Sequence, residues 1–206
     1  VTERTERSTM TPVTCDITVS TDGYAAGPNQ SLENPLGEGG MRLHRWALEQ
    51  PAENAAQMAA ILEAGAYIMG RNMFGPGRGE WDDEWTGWWG DEPPYHAPVF
   101  VLTHYPRAPL VMAGGTTFTF VTDGIESALE QARAAAGELS VAIAGGASTV
   151  RQYLAAGLID ELRLHIAQVV QGTGEPLLEG LDDVRLEQVS SVENELVTHV
   201  VYRVVH

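Results

Sequence analysis

The sequence predicts an α/β fold: a single three-layer αβα domain around a central mixed, mostly parallel sheet. Two observations lead there. Short apolar strand segments alternate with helical segments from residue 66 to residue 157, the rhythm of strands joined by crossovers. A terminal run of longer strand segments then follows with no helix between them, which makes the sheet a mixed one. A chain of 206 residues suits one such domain and is long enough to bury a proper core.

Taken in order, "VTERTERSTM" is charged, threonine-rich and without apolar periodicity. Residues 1–12 are therefore expected to be a disordered tail, and 13–206 the folded domain. "VTCDITVS" alternates as a strand, and "TDGYAAGPNQ" reads as the turn and loop after it. "PAENAAQMAAILEAG" predicts a helix with Pro51 near its start and Gly65 as its stop. "AYIMG", "PVFVLT" and "FTFV" are short strands of the buried kind. Asp123 is expected to cap "GIESALEQARAAAG", whose Ile125, Leu129, Ala132 and Ala136 share one helical face. "LSVAIA" is a strand, and "STVRQYLAAG" a helix stopped by Gly157. "DELRLHIAQVV", "VRLEQVSS" and "LVTHVVYRVV" close the chain as strands.

Composition narrows the partners. With 12 basic against 28 acidic residues, the net charge of -16 repels nucleic acid and anionic membrane, so neither is an expected partner. No apolar stretch approaches the roughly 18 residues of a membrane span, and no secretory leader pattern is visible. Cys15 is the one cysteine, which suits a reducing compartment, and the cytoplasm is the expected address. The histidines show no H-x-x-x-H spacing, so no metal is expected. Any phosphate site must be a local exception to the acidic field.

Three strand ends offer such an exception. After "VAIA" come Gly145, Gly146, Ala147, Ser148 and Thr149, at the start of a helix. Bare glycines let an anion's oxygens approach the unpaired N–H groups of a helix N-terminus, where the helix dipole is positive. The competing reading is a tight turn with no ligand. After "AYIM" come Gly70 and Arg71, and Arg71 suits a dianionic phosphate, unless it merely pairs with a surface carboxylate. After "VFVL" come Thr103 and His104, with Arg107 close behind.

These segments, "YIMGRNMF", "VFVLTHYPR" and "VAIAGGASTVRQYL", in this order resemble the dihydrofolate reductase-like superfamily. "AAGLIDELRLHIAQVVQGTGEPLLEGL" looks like the reductase domain of bacterial riboflavin biosynthesis and its stand-alone relatives. "STDG" resembles the S-x-D-G turn of that group. The likeness spans about residues 13 to 203. It implies a dihydrofolate reductase-like fold, NADPH as cofactor, a small-molecule substrate and a homodimer. It also implies that Gly145, Gly146, Ala147, Ser148 and Thr149 hold the pyrophosphate. Gly70, Arg71, Thr103 and His104 would lie near the adenosine 2′-phosphate, and Ile17, Thr18, Ala25 and Ala26 would flank the nicotinamide. The expected reaction is hydride transfer to a C=N or C=O of a heterocyclic or sugar-linked substrate, as in a 5-amino-6-(5-phosphoribosylamino)uracil reductase. The alternatives are an NADP(H)-binding protein without turnover and a dihydrofolate reductase.

The chain departs from the family pattern in two places. Met41, Arg42 and His44 stand where folate reductases carry an acidic residue, and Ala144 replaces the glutamate usual before the Gly-Gly pair. No zinc deaminase half is visible. Candidate catalytic residues are Asp22, as an acid or else an Asx-turn, and His44, a side chain able to pass a proton near neutral pH. Trp46 is a candidate substrate contact or else a core residue. The loop "EWDDEWTGWWGDEPPYH" gathers Trp81, Trp85, Trp88 and Trp89. A solvated loop needs no such aromatics, and packing is the expected role, with a lid or a subunit contact as alternatives.

Overall fold

The computed structural model describes residues 11–205. β1 (Val13–Ser20) sends Val13, Cys15 and Val19 into the larger core. By strand alternation Thr14, Asp16, Thr18 and Ser20 face the opposite side of the sheet. β2 (Tyr24–Ala26) follows, then a 3-10 turn over Gly40–His44 that runs into α1 (Arg45–Glu49) and α2 (Ala55–Ile61). β3 (Ala66–Gly70) passes directly into α3 (Arg71–Phe74). Next come β4 (Pro98–Leu102), β5 (Leu110–Val111) and β6 (Thr117–Val121). α4 (Ile125–Ala136), β7 (Val141–Gly145) and α5 (Ala147–Ala155) form the last crossovers. β8 (Glu161–Ala167), β9 (Glu175–Pro176), β10 (Arg185–Glu193) and β11 (Val197–Val205) complete the fold.

The main sheet has nine strands in the order β10-β11-β8-β1-β7-β3-β4-β6-β5. The six from β8 to β6 run parallel, and β11, β10 and β5 add antiparallel edges. β2 and β9 make a separate antiparallel pair. This is the expected mixed, mostly parallel sheet. On one face, α4 and α5 bury Leu129, Ala132, Val150, Tyr153 and Leu154 against Ile68, Ile143 and Leu162. Tyr153 also donates its hydroxyl to Ile125 O at 2.7 Å, which ties the two helices together. On the other face, Tyr67, Met69, Val99, Val101 and Phe118 pack against Phe74 and the tryptophan-rich loop. Each large apolar side chain buried in this way contributes about 1.5–3 kcal/mol.

Crossover direction positions the site. The segment after β3 turns to the face of Phe74, and the helix after β7 turns to the opposite face, although β3 and β7 are neighbours. Their connections part at the carboxyl edge and leave a crevice there, as at the switch points of open α/β sheets. Register shifts here too: Ile68 pairs with Ile143 but Met69 with Gly145, so Ala144 is bulged out at the crevice floor.

Several elements differ from expectation. The helix expected from Pro51 begins only at Ala55, because residues 51–54 form turns that seat the buried Asn54 amide against Trp46 O and Gln50 O. Asp123 does not cap α4. Gly124 holds the capping position at φ 93° with no side-chain bond, one residue beyond it. The stretch expected to be loop after β1 contains β2. Thr11 and Pro12, expected in the tail, are fastened to the fold: Val141 N donates to Pro12 O at 2.9 Å, and the Thr11 hydroxyl to Gly137 O at 3.4 Å. The rest of the expected tail, residues 1–10, lies outside the described residues.

Gly70 shows how tightly β3 and α5 meet. A Cβ there would stand 2.4 Å from Thr149 Oγ1, although φ -77° suits any residue. Gly70→Ala is therefore expected to destabilise the fold by about 1–3 kcal/mol. Adding Thr149→Ala should recover most of that loss in urea unfolding, which a general helix or strand effect would not.

Candidate functional site

The crevice is a cleft of about 930 Å³, within the range of small-molecule and cofactor sites. One wall comes from β1 and β2 through Ile17, Thr18, Ala25 and Ala26. Its floor is Ala144 to Thr149, and its far end Gly70, Arg71, Thr103, His104 and Thr122. The sequence-derived candidates thus meet in one place, Asp22 excepted.

The floor is main chain. The Gly145–Gly146 peptide is cis, and Gly145 lies at φ 123°. α5 starts without a side-chain cap, and its first internal bonds are those of Thr149 N and Val150 N to Gly146 O, at 3.0 and 3.1 Å. The amides of Ala147 and Ser148 are left open, as the first N–H groups of any uncapped helix are. A Cβ added at Gly146 would meet nothing within 4 Å, so the fold itself does not require that glycine. Gly70 is different, since Thr149 Oγ1 fills the place of its side chain.

Arginines collect at the far end without carboxylate partners. Arg71 stacks its guanidinium 3.8 Å over Trp81 and donates to Glu80 O at 3.3 Å, while its Nε, buried, has no partner. Burial, and then nearby Arg78, lower its pKa. Arg78 donates to Asn72 Oδ1 and also lines the cleft. Arg107 lies near the same Trp81 ring and bonds Asp83 O at 2.9 Å. None of the three is in an ion pair among the described residues. The tryptophans are packed as expected: Trp81 against Phe74 and Phe120, Trp89 on Phe118 and Tyr95, and Trp85 with Nε1 on Phe74 O at 3.0 Å. Trp88 and Trp89 reach the cleft rim as well.

Asp22 is outside the cleft lining, and its carboxylate accepts Gln171 N at 2.9 Å and Gly172 N at 2.7 Å. The Ser20 hydroxyl, and then these amides, hold its pKa at about 2, and the carboxylate clamps the loop at Gln171 and Gly172. Trp46 is only 2% exposed and packs its ring 5.0 Å from His165 and 5.1 Å from His199. It is a core residue that also lines the cleft. His44 does line the cleft, with a pKa lowered by burial and then by His165.

A buried polar group that the sequence reading missed stands behind this wall. Asp16 and His165, from adjacent parallel strands, both line the cleft. Asp16 Oδ2 is 3.4 Å from Arg163 Nη1, and Arg163 Nε donates to Glu161 Oε1 at 2.6 Å. His165 Nδ1 is 2.8 Å from His199 Nδ1, and His199 Nε2 is 2.8 Å from Asn54 Oδ1. The available signal was strand alternation, which puts Asp16, Arg163 and His165 on the polar face of β1 and β8. Among the described residues no cluster of metal-ligand side chains is present.

The family model of the RibD C-terminal domain matches residues 11–199. The chain belongs to the RibD C-terminal domain family. Solved structures share the fold at low identity. A Shewanella sp. PV-4 protein assigned to riboflavin biosynthesis is 21% identical with a TM-score of 0.65, over 95% of this chain and 99% of that one. Dihydrofolate reductase from Enterococcus faecalis, complexed with NADP(H), is 16% identical with a TM-score of 0.58, over 94% and 96%. A Thermotoga maritima diaminohydroxyphosphoribosylaminopyrimidine deaminase/5-amino-6-(5-phosphoribosylamino)uracil reductase is 13% identical with a TM-score of 0.59. The match covers 95% of this chain and 57% of that one. No curated protein sequence matches the chain. In this RibD C-terminal domain no helix among the described residues is long and apolar enough to cross a membrane.

The His199 site makes a pH prediction for this RibD C-terminal domain. Burial, and then His165, lower the His199 pKa from 6.5 to about 4, so the folded state favours its neutral form. That contribution to stability is complete above about pH 6.5 and is lost as pH falls through about 4. His199→Gln keeps a donor for Asn54 and an acceptor for His165 but cannot titrate. The urea midpoint of the wild type should fall more steeply across this window than that of His199→Gln.

Proposed function

We propose that this chain is an NADPH-dependent reductase acting on a C=N or C=O of a small heterocyclic or sugar-linked substrate. The 5-amino-6-(5-phosphoribosylamino)uracil type is the first to test. The observation that carries this reading is the pair of open amides at Ala147 and Ser148, beside the bare Gly146, on the floor of a cleft of cofactor size. Unpaired N–H groups at a helix N-terminus bind phosphate oxygens, and no Cβ stands in their way at Gly145 or Gly146.

The remaining assignments follow from position. Arg71, with Arg78, Thr103 and His104, would take the adenosine 2′-phosphate, which an arginine without a carboxylate partner suits in a chain of net charge -16. Ile17, Thr18, Ala25 and Ala26 would flank the nicotinamide. When bound, the cofactor supplies the hydride, and the protein holds, orients and desolvates the reacting groups. The NADP(H) named for the Enterococcus faecalis relative and the uracil reductase named for the Thermotoga maritima relative support the same reading.

NADPH titration followed by tryptophan fluorescence tests it, given Trp81 under Arg71 and Trp88 and Trp89 at the cleft rim. Gly146→Ala should weaken NADPH binding about tenfold or more, roughly 1.4 kcal/mol, with the urea midpoint unchanged. Arg71→Gln should weaken NADPH by a similar factor and leave NADH nearly untouched. Equal NADPH affinity in all three proteins would refute the cofactor assignment. NADPH binding with no oxidation over a panel of pterin and aminouracil substrates would instead identify a binding protein.

A further inference from the structure

The polar group behind the cleft wall has a fixed hydrogen-bond direction. Asn54 Nδ2 donates to Trp46 O at 3.2 Å and to Gln50 O at 2.7 Å, which makes its Oδ1 the acceptor. That oxygen receives Asn194 Nδ2 at 2.6 Å, so the second group on it, His199 Nε2, also carries a proton. Neutral His199 then has a bare Nδ1, and the 2.8 Å contact to it requires a proton on His165 Nδ1. One nitrogen remains. His165 Nε2 is buried without a hydrogen-bond partner and faces Asp16 Oδ1, likewise buried and unpartnered, at 3.7 Å.

Two acceptors facing each other, with side chains only 4% and 6% exposed, form an arrangement that lacks a proton. Every other proton in the chain of groups is held by geometry, so Nε2 is where one enters or leaves. Asp16 and His165 line the cleft and also a smaller pocket beside His199, and His165 pairs in register with Thr18 on the expected nicotinamide wall. We propose that His165 Nε2 is the proton donor of the reduction and that Asp16 is the residue that positions and loads it. This rests on the reductase reading.

The step balances. The substrate carbon takes a hydride from the dihydronicotinamide, and its C=N nitrogen or C=O oxygen takes the proton from His165 Nε2. The substrate π bond is reduced by two electrons and the cofactor is oxidised by two. His165 is left neutral and recovers a proton from solvent. The charged and titratable groups around it are Asp16 on β1, Arg163 and Glu161 on β8, His199 on β11, and His44 at the end of the 3-10 turn. Trp46 of α1 covers the two imidazoles, and Asn54 before α2 fixes the far end.

Long-range 1H–15N spectra of the cofactor-free protein, labelled in histidine, test the protonation pattern directly. His199 should carry its proton on Nε2, and His165 should keep one on Nδ1 throughout. His165 Nε2 should carry no proton in the cofactor-free protein. Asp16→Asn should leave the His199 pattern intact. The reverse tautomers, with His165 holding its proton on Nε2 and donating none to His199, would overturn the proposal. With NADPH and 5-amino-6-(5-phosphoribosylamino)uracil, His165→Gln should lose about 100-fold or more in kcat at unchanged NADPH affinity. Asp16→Asn should lower kcat about tenfold or more at unchanged NADPH affinity, a split a purely structural role would not give. Turnover by His165→Gln within threefold of wild type would also overturn it. A wild type that binds no NADPH, or turns nothing over, fails the reductase reading and this role with it. The cofactor-free spectra then show whether the protonation pattern itself was right.

Discussion

The architecture turns on peptide groups left without partners at the ends of parallel strands. A parallel strand entering a helix must abandon its ladder before the helix has built its own, and the first helical amides have no partner within the helix. Most helices cover that edge with a serine, threonine or acidic cap. Here the chain places Gly146 at the cap, with Gly145 beside it, so the amides of Ala147 and Ser148 face a cleft. The parting of the β3 and β7 connections keeps the space above them open. The bulge at Ala144 and the missing side chain of Gly70 let α5 sit close enough to bring those amides to the edge.

Electrostatics act in the same direction. A strongly acidic chain repels anions in general, so local cations have weight only where they are not already neutralised. Arg71 and Arg107 are held by aromatic rings and backbone carbonyls, and Arg78 by the Asn72 amide oxygen, so none of the three is spent on a carboxylate. The tryptophan-rich loop therefore has a double use. It completes the apolar face over Phe118 and Tyr67, and it supplies the ring on which Arg71 lies. Exchange of Trp81 for an aliphatic residue would keep part of the first and lose the second.

Local signals in the sequence were enough for the strands and crossovers that build the cleft. "AYIMG", "PVFVLT" and the Gly-Gly turn each end an apolar run with residues that cannot continue it, and the sheet brings them to one edge. What failed depended on distant partners or on one-residue offsets. Asp123 looked like a cap and stands one position early. Asp22 read as an acid or as an Asx-turn, and its loop partners, Gln171 and Gly172, lie about 150 residues away. Asp16, His165, His199 and Asn54 gave no motif, since strands and turns far apart in the chain assemble them. The polar residues of β1 and β8 read as ordinary alternation until the register was known.

The central claim is that the main chain at residues 146–148 is a phosphate seat, and backbone amide resonances test it most directly. On titration of the 15N-labelled protein with NADPH, the amides of Gly146, Ala147 and Ser148 should shift together and saturate at one dissociation constant. They should keep their positions in the presence of nicotinamide alone, which has no phosphate. Saturable shifts confined to other parts of the chain, with these three amides unmoved, would contradict the account.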